Sequence, residues 1–574
     1  MNIAEYLVKK LEERGINDFF GLPGDYNFNI LYAIENNPNT KWIGCTNELN
    51  AGYAADGYAR QRGYGALVTT YGVGELSAIN AIAGSYAENV PVITIVGVPA
   101  TKDLEAKKLL HHSFAEVNQH RYEEIHKSVV ETTAFLNRDN ARLEIDRVLR
   151  VFVKEKRPVY IAIPMDIAVL ETVNRDIDFN WVSDPDVLEE VVSKINEKIK
   201  NSRKPTILGD VLVKRFDARI EFKEFVEKSG IPATNFLMGT NLITSEAKNY
   251  LGTYFAEYKN PVAKKYLDET DCLISVGPVY SDVNSFGFKL PYEINSHIAI
   301  YGTYTYVDGT RYDNVKMSDV LESLTKVVDS HSFEIEKPQM GYDASSMEKN
   351  ELSSEYIYPR IQEFLKENDI LICDTGVATF GACSMRFPAN AEFHSQALWG
   401  SIGWATPAAL GASIANPNTR VILLTGEGAH QLTALEIGTM LRNGVKPVVI
   451  VLNNKGYTIE RILSKDPEDS FNDIMQMNYS KFARVFEGDI WSTKVETAED
   501  FDKALKVTQI MNKFCYIEVC TDKMDIPVLA NDFLFKLVSK ESKQQVEQKK
   551  EKKLELTKSD DMRFETTVHE SLKE

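Results

Sequence analysis

Apolar residues follow two spacings along this chain. Compact runs rich in Val, Ile and Leu, such as GALVTTYG (Gly65–Gly72), PVITIVG (Pro91–Gly97) and PVYIAIP (Pro158–Pro164), read as buried strands, with helix-like stretches between them. The opening MNIAEYLVKKLEERGI mixes acids and bases through an amphipathic helix pattern. The same alternation returns in KPTILGD, DCLISVGP and HIAIYG, and again in Val421–Leu424 and Pro447–Leu452, two apolar runs separated by helically spaced Leu432, Leu435, Glu436, Met440 and Leu441. Strand and helix in alternation predict an α/β protein, with three domains that each hold a mainly parallel sheet flanked by helices. Their expected spans are 1–182, 190–340 and 355–537. Polar, irregular stretches near Ser183–Val187 and Ser330–Ser345 are the expected linkers.

After Val538 the pattern stops. KESKQQVEQKKEKKLELTKSDD is charged and free of aromatics, so 538–574 reads as a solvated helix or a disordered tail. That tail carries nine Lys and Arg from Ser539 onward against nine Asp and Glu, so the formal net charge of −18 belongs to the remainder of the chain. Such acidity argues against a nucleic-acid partner, which would need clustered Lys and Arg. No apolar run approaches a membrane span, and the first helix lacks the apolar core of a secretory signal. Six scattered cysteines without a CxxC pair predict reduced, buried thiols. The cytoplasm is therefore the expected compartment.

Chemistry enters at LLTGEGAHQLTALEIGTMLRNGVKPVVIVLNNKGYTIER, Leu423–Arg461. In a β-α-β unit both strands end on one side of the sheet, so Glu427 and Asn454 emerge together where open α/β sheets bind ligands. Gly426 and Gly428 are expected to let the backbone turn tightly and approach a bound group, with helix N–H groups pointing at an anion. A carboxylate beside an anion needs a cation between them. Glu427, Asn454 and a carbonyl near Gly456 are hard oxygen ligands suited to Mg²⁺ bridging phosphates. On its own a Gly-acid-Gly turn is a weak signal.

Further motifs occur in a fixed order: FGLPGDYN (Phe20–Asn27), NELNAGYAADGYAR (Asn47–Arg60), TTYGVGELSAINAIAGSYAENVPV (Thr69–Val92), LLHHSF (Leu109–Phe114) and LWGSIGWATPAALG (Leu398–Gly411). Together with GEG and NNKGYTIER, they resemble the thiamine-diphosphate-dependent 2-oxo acid decarboxylases, the pyruvate and indolepyruvate decarboxylase family, from the first helix to about residue 537. The resemblance implies thiamine diphosphate and Mg²⁺ as cofactors, a pyrimidine-binding first domain, a structural middle domain and a third domain for the diphosphate and metal. It also implies a site completed between two subunits, so a homodimer or homotetramer is expected.

Residue by residue, the resemblance implies that Glu48 hydrogen-bonds the pyrimidine and makes a cofactor amine into the base. The Gly400 carbonyl would accept the pyrimidine amino group, and Ile402 would wedge the cofactor into a bent shape. Glu427, Asn454 and Gly456 fall on the metal positions, and Thr375, Gly426, Gly428 and Ala429 join the cofactor contacts. Asp25, His111, His112 and Glu460 match a substrate-side acid–base quartet, and Ile459 supplies apolar surface. Two positions depart from the family: Glu427 stands where aspartate is usual, and Val377 replaces a diphosphate-touching threonine.

The small residues Val283 and Thr379 occupy family pocket positions that hold large aromatics in some relatives. With Ile459 they predict room for a bulky 2-oxo acid (indolepyruvate, phenylpyruvate or a branched-chain acid) rather than pyruvate, unless Phe286 or Phe393 refills the space. A pyruvate decarboxylase, an acetolactate-synthase-like carboligase and a non-catalytic scaffold are the alternatives. The histidine pair and the YTIE glutamate disfavour the carboligase.

Overall fold

The computed structural model describes residues 1–118, 120–336, 338–343 and 351–534. The expected charged tail lies outside these residues. The first helix, Ile3–Glu12, forms where periodicity predicts, closed by a reciprocal cap: Asn2 Oδ1 accepts the Glu5 N–H at 2.8 Å and the Glu5 carboxylate accepts the Asn2 N–H at 3.0 Å.

Three sheets follow in chain order. The first is all parallel, ordered Lys41–Gly44, Asp18–Gly21, Gly65–Thr70, Val92–Val98, Val159–Pro164, Thr132–Phe135. Its inner strands are buried on both faces, as continuous apolar runs require: Phe19, Ala66, Ile93 and Ile95 enter one core, while Phe20, Leu67 and Val96 enter another. The middle sheet has seven strands, five of them parallel, and ends in an antiparallel pair made by Tyr304–Val307 and Thr310–Asp313. The third is all parallel, ordered Glu392–Ser395, Ile370–Cys373, Val421–Gly426, Val448–Asn453, Phe514–Cys520, Ile490–Val495.

Ser183–Val187 is not the irregular linker expected. Pro185 opens a helix that runs to Asn201, because the Asp184 carboxylate accepts the Asp186 and Val187 N–H groups and proline is pre-set for a first helical position. The six cysteines are free, with four buried and Cys45 and Cys520 half-buried. No helix among the described residues is long and apolar enough to cross a membrane.

The first and third domains are joined by two helices, Glu48–Arg62 and Ala405–Ala415, whose buried surfaces share one core with both sheets. Small residues let them touch backbone to backbone: a Cβ on Gly57 would lie 2.2 Å from the Ala408 carbonyl oxygen, and one on Gly411 would lie 1.9 Å from that of Ala54. This pairing sets where Glu48 stands.

Candidate active site

Strand Val421–Gly426 runs directly into the helix that Glu427 begins, and strand Val448–Asn453 delivers Asn454 alongside it, as the β-α-β reading predicts. Glu427 is fully buried, and its Oε1 accepts the Gly456 N–H at 2.6 Å. Burial pushes its carboxyl up to about 7, against the pull of the Gly456 N–H and other backbone donors. The Asn454 amide oxygen faces only acceptors, lying 3.2 Å from Glu427 Oε2 and 2.9 Å from the Gly456 carbonyl oxygen. Turned over, that amide would instead donate to both oxygens. Octahedral Mg²⁺ with ligands at 2.0–2.1 Å holds neighbouring oxygens about 3 Å apart, so the spacing of the Asn454 amide from Glu427 and the Gly456 carbonyl suits a cation between the three groups. Glu427, Asn454 and Gly456 thus fit a Mg²⁺ site, and the extra methylene of Glu427 does not keep its carboxylate away.

The glycines around this point act differently from the tight turn expected. Neither Gly426 nor Gly428 has positive φ. A Cβ on Gly428 would strike the Tyr457 ring at 2.5 Å, whereas one on Gly426 would meet nothing within 4 Å, which leaves open space beside the helix start. Left-handed backbone is needed at Gly400 (φ 69°) and Gly456 (φ 142°), and at Gly456 a Cβ would also lie 2.3 Å from the Asn472 carbonyl oxygen. Ala429 is buried in the same helix.

The loop carrying Gly400 and Ile402 is tied from both sides. Thr375 Oγ1 donates to the Gln396 carbonyl at 3.1 Å, while the Gly403 N–H at 3.2 Å and Thr425 Oγ1 at 3.1 Å donate to the buried Asp374 carboxylate. From the first domain, Asn80 accepts the Trp399 indole N–H at 2.9 Å and Tyr53 pairs with Ser401 at 2.6 Å. Burial raises the Asp374 carboxyl to about 7. Ile402 stays partly exposed, as a residue facing a ligand or second subunit would.

On the first domain, Glu48 is the first residue of its helix, but Asn47 is the cap: Asn47 Oδ1 accepts the Asn50 N–H at 2.8 Å. The Glu48 carboxylate has no hydrogen-bond or ion-pair partner among the described residues and lies beside Gly74, where a Cβ would come within 3.3 Å of it. Asp25, His111 and His112 converge: His111 Nε2 lies 3.0 Å from Asp25 Oδ2, and the two imidazoles meet edge to face at 4.4 Å. Glu460 stands on the third domain, exposed at the start of helix Thr458–Leu463, and is not part of that cluster. Ile459 lies near Gly376, where a Cβ would be 3.8 Å away.

Three tyrosines in this site have no motif chemistry to announce them. Tyr71 donates its hydroxyl to the His111 carbonyl, Tyr122 donates to the His112 carbonyl at 2.9 Å, and the Tyr26 hydroxyl lies 3.3 Å from His111 Nδ1. Beneath them, buried Glu75 accepts the Gly72 N–H at 2.8 Å and the Tyr160 hydroxyl at 2.9 Å. Only the spacing of Gly72 and Glu75, three apart at a helix start, hinted at this role.

Of the pocket positions, Thr379 is buried with its hydroxyl shared between the Asp374 carbonyl at 2.8 Å and Ser395 at 2.6 Å, and Val283 is half-buried. Val377 is buried, and its carbonyl accepts the Tyr358 hydroxyl at 2.7 Å. Phe286 packs on Phe380 and Phe533 with ring centres 6.2 and 5.4 Å away. Phe393 turns instead to Phe387 at 5.7 Å.

The chain matches the thiamine pyrophosphate enzyme models along its length: the N-terminal TPP binding domain over residues 1–122, the central domain over 192–325 and the C-terminal TPP binding domain over 374–519. Among curated proteins it is 35% identical over 544 residues to pyruvate decarboxylase of Kluyveromyces lactis (92% of this chain, 96% of that one). It is 36% identical over 533 residues to pyruvate decarboxylase of Aspergillus fumigatus (89% and 92%) and 34% over 545 residues to pyruvate decarboxylase isozyme 1 of Saccharomyces cerevisiae (92% and 96%). The chain belongs to the thiamine-diphosphate-dependent 2-oxo acid decarboxylases. Its cofactor is thiamine diphosphate, with Mg²⁺ the usual metal partner in this family.

Proposed function

We propose that this enzyme releases CO₂ and an aldehyde from a 2-oxo acid with a bulky side chain. Bound thiamine diphosphate supplies the carbon nucleophile and the electron sink for decarboxylation. The chain's own residues do the rest. Glu427, Asn454 and Gly456 would hold the diphosphate through Mg²⁺, and Glu48, whose carboxylate has no partner among the described residues, would hydrogen-bond the pyrimidine. The cluster of Asp25, His111 and His112 moves protons to the carbon that loses CO₂ and from the substrate oxygen, with Glu460 joining from the third domain. The observation that carries this reading is the convergence of two imidazoles and a carboxylate on the same domain as the unpaired Glu48. An aldehyde-forming enzyme needs such a proton relay.

The preference for a bulky acid rests on Val283 and Thr379, neither of which extends an aromatic ring into the pocket. A second reading, pyruvate, is favoured by the relatives, which are named pyruvate decarboxylases, and by Phe286, which packs on Phe380 and Phe533 close in sequence to Val283 and Thr379. Both halves of the site have exposed apolar neighbours, Val73 beside Gly74 on one and Ile402, Leu432 and Leu435 on the other, which supports a dimer that buries them.

Steady-state CO₂ release from indolepyruvate, 4-methyl-2-oxopentanoate and pyruvate tests the proposal. A higher kcat/KM for pyruvate overturns the bulky-acid reading. Glu48→Gln should lower turnover about 10²–10⁴-fold, the usual worth of acid–base assistance, without lowering the melting temperature. Unchanged turnover removes Glu48 from the mechanism.

A further inference from the structure

We propose that Asp25, His111 and His112 also form a second metal site, selective for a borderline ion of the Zn²⁺ type, whose filling silences the enzyme. One carboxylate oxygen and two imidazole nitrogens lie within 4.8 Å of one another. Tetrahedral Zn²⁺ with ligands at 2.0–2.1 Å holds them about 3.3 Å apart, and the Asp25–His111 pair is already at 3.0 Å. Imidazole donors favour such ions over Mg²⁺, which takes oxygen.

The donors are held in place before any ion arrives. Adjacent side chains in extended chain point apart. Here His112 adopts left-handed backbone (φ 67°), which leaves its ring against that of His111. The Tyr71 and Tyr122 hydroxyls pin the two carbonyls, and Gly72 packs so tightly beneath that a Cβ would lie 2.0 Å from the His112 carbonyl oxygen. Tyr26, at His111 Nδ1, can accept that N–H and leave the Nε2 lone pair toward Asp25, the outer support that metal-bound histidines usually have. In the single chain the Asp25 and His111 side chains are 52% and 56% exposed, so protein atoms of this chain leave room beside them for an ion and a completing water. Glu427 and Asn454 belong to another domain, so Mg²⁺ there does not occupy these ligands. The inhibitory half of the inference rests on the relay proposed above, because lone pairs given to a metal cannot carry protons. The metal site itself does not.

Cobalt(II) serves as a visible probe. The full chain, saturated with Mg²⁺ and thiamine diphosphate, should bind one Co²⁺ per chain with the d–d absorption of a four- or five-coordinate N/O site. Zn²⁺ should displace it and lower CO₂ release at least tenfold over the same concentrations. His112→Ala and Asp25→Ala, each confirmed folded by its melting temperature, should lose the band. No band, or one that survives both substitutions, overturns the site. Cobalt binding with undiminished activity overturns the inhibition and the relay reading while leaving the ligands assigned.

Discussion

At Glu427 one methylene separates this chain from the aspartate usual in its family, and the surrounding loop uses the extra length. One carboxylate oxygen reaches the Gly456 N–H while the other faces Asn454, so charge and ligand type are kept. Val283 and Thr379 are the residues at which substrate size is most directly tested. Val283→Phe should reduce kcat/KM for indolepyruvate relative to pyruvate by at least about tenfold, since apolar pocket contacts differ by roughly 1–3 kcal/mol between substrates. Kinetics on both acids with the variant and parent check this; an unchanged ratio would place Val283 outside the pocket. Glu48, Glu427 and the histidine pair could be named as candidates from the sequence because chemical type and order along the chain single them out. Tyr26, Tyr71 and Tyr122 were not, because a tyrosine that grips a backbone carbonyl has no local pattern to distinguish it from a core tyrosine.

Elements place these residues, and the helix pair Glu48–Arg62 with Ala405–Ala415 is the most demanding of them. Gly411→Ala would drive a methyl into the Ala54 carbonyl and force the helices apart. The expected cost is about 1–3 kcal/mol, read as a lower melting temperature, together with a fall in kcat as Glu48 shifts. Beneath the histidine loop, burial raises the Glu75 carboxyl from 4.5 to about 7. The unfolded chain therefore loses this proton first as pH rises. The contribution of Glu75 to folding is complete below about pH 4.5 and lost as pH climbs to about 7, a swing of about 3 kcal/mol at most. Glu75→Gln has no such proton to lose. Its melting temperature should fall less than the parent's between pH 5 and pH 8, and parallel curves would refute the assignment. Periodicity located the strands well because parallel strands buried on two faces are continuous apolar runs. It missed the helix start at Pro185, since its Asp-Pro-Asp cap looks like loop composition until a helix is seen to follow.

For the whole molecule, the proposed dimer joins Glu48 and the histidines of one chain to the metal ligands of another. Leu432→Asp with Leu435→Asp places charge on two side chains that are 55% and 56% exposed in the single chain, so the monomer should fold. Sedimentation should then show dissociation, with activity lost in proportion. A fully active monomer would sink the two-subunit site. Amino-acid order alone determined the class of fold and, through its resemblance to a known family, the cofactor, because strand periodicity and the order of motifs are properties of the sequence itself. Only the tertiary structure decided that the Asn454 amide lies beside Glu427 and the Gly456 carbonyl, that tyrosines hold the histidines and that Phe286 packs on Phe380 and Phe533. Those relations depend on distances between segments far apart in the chain, which are set by how helices and sheets pack.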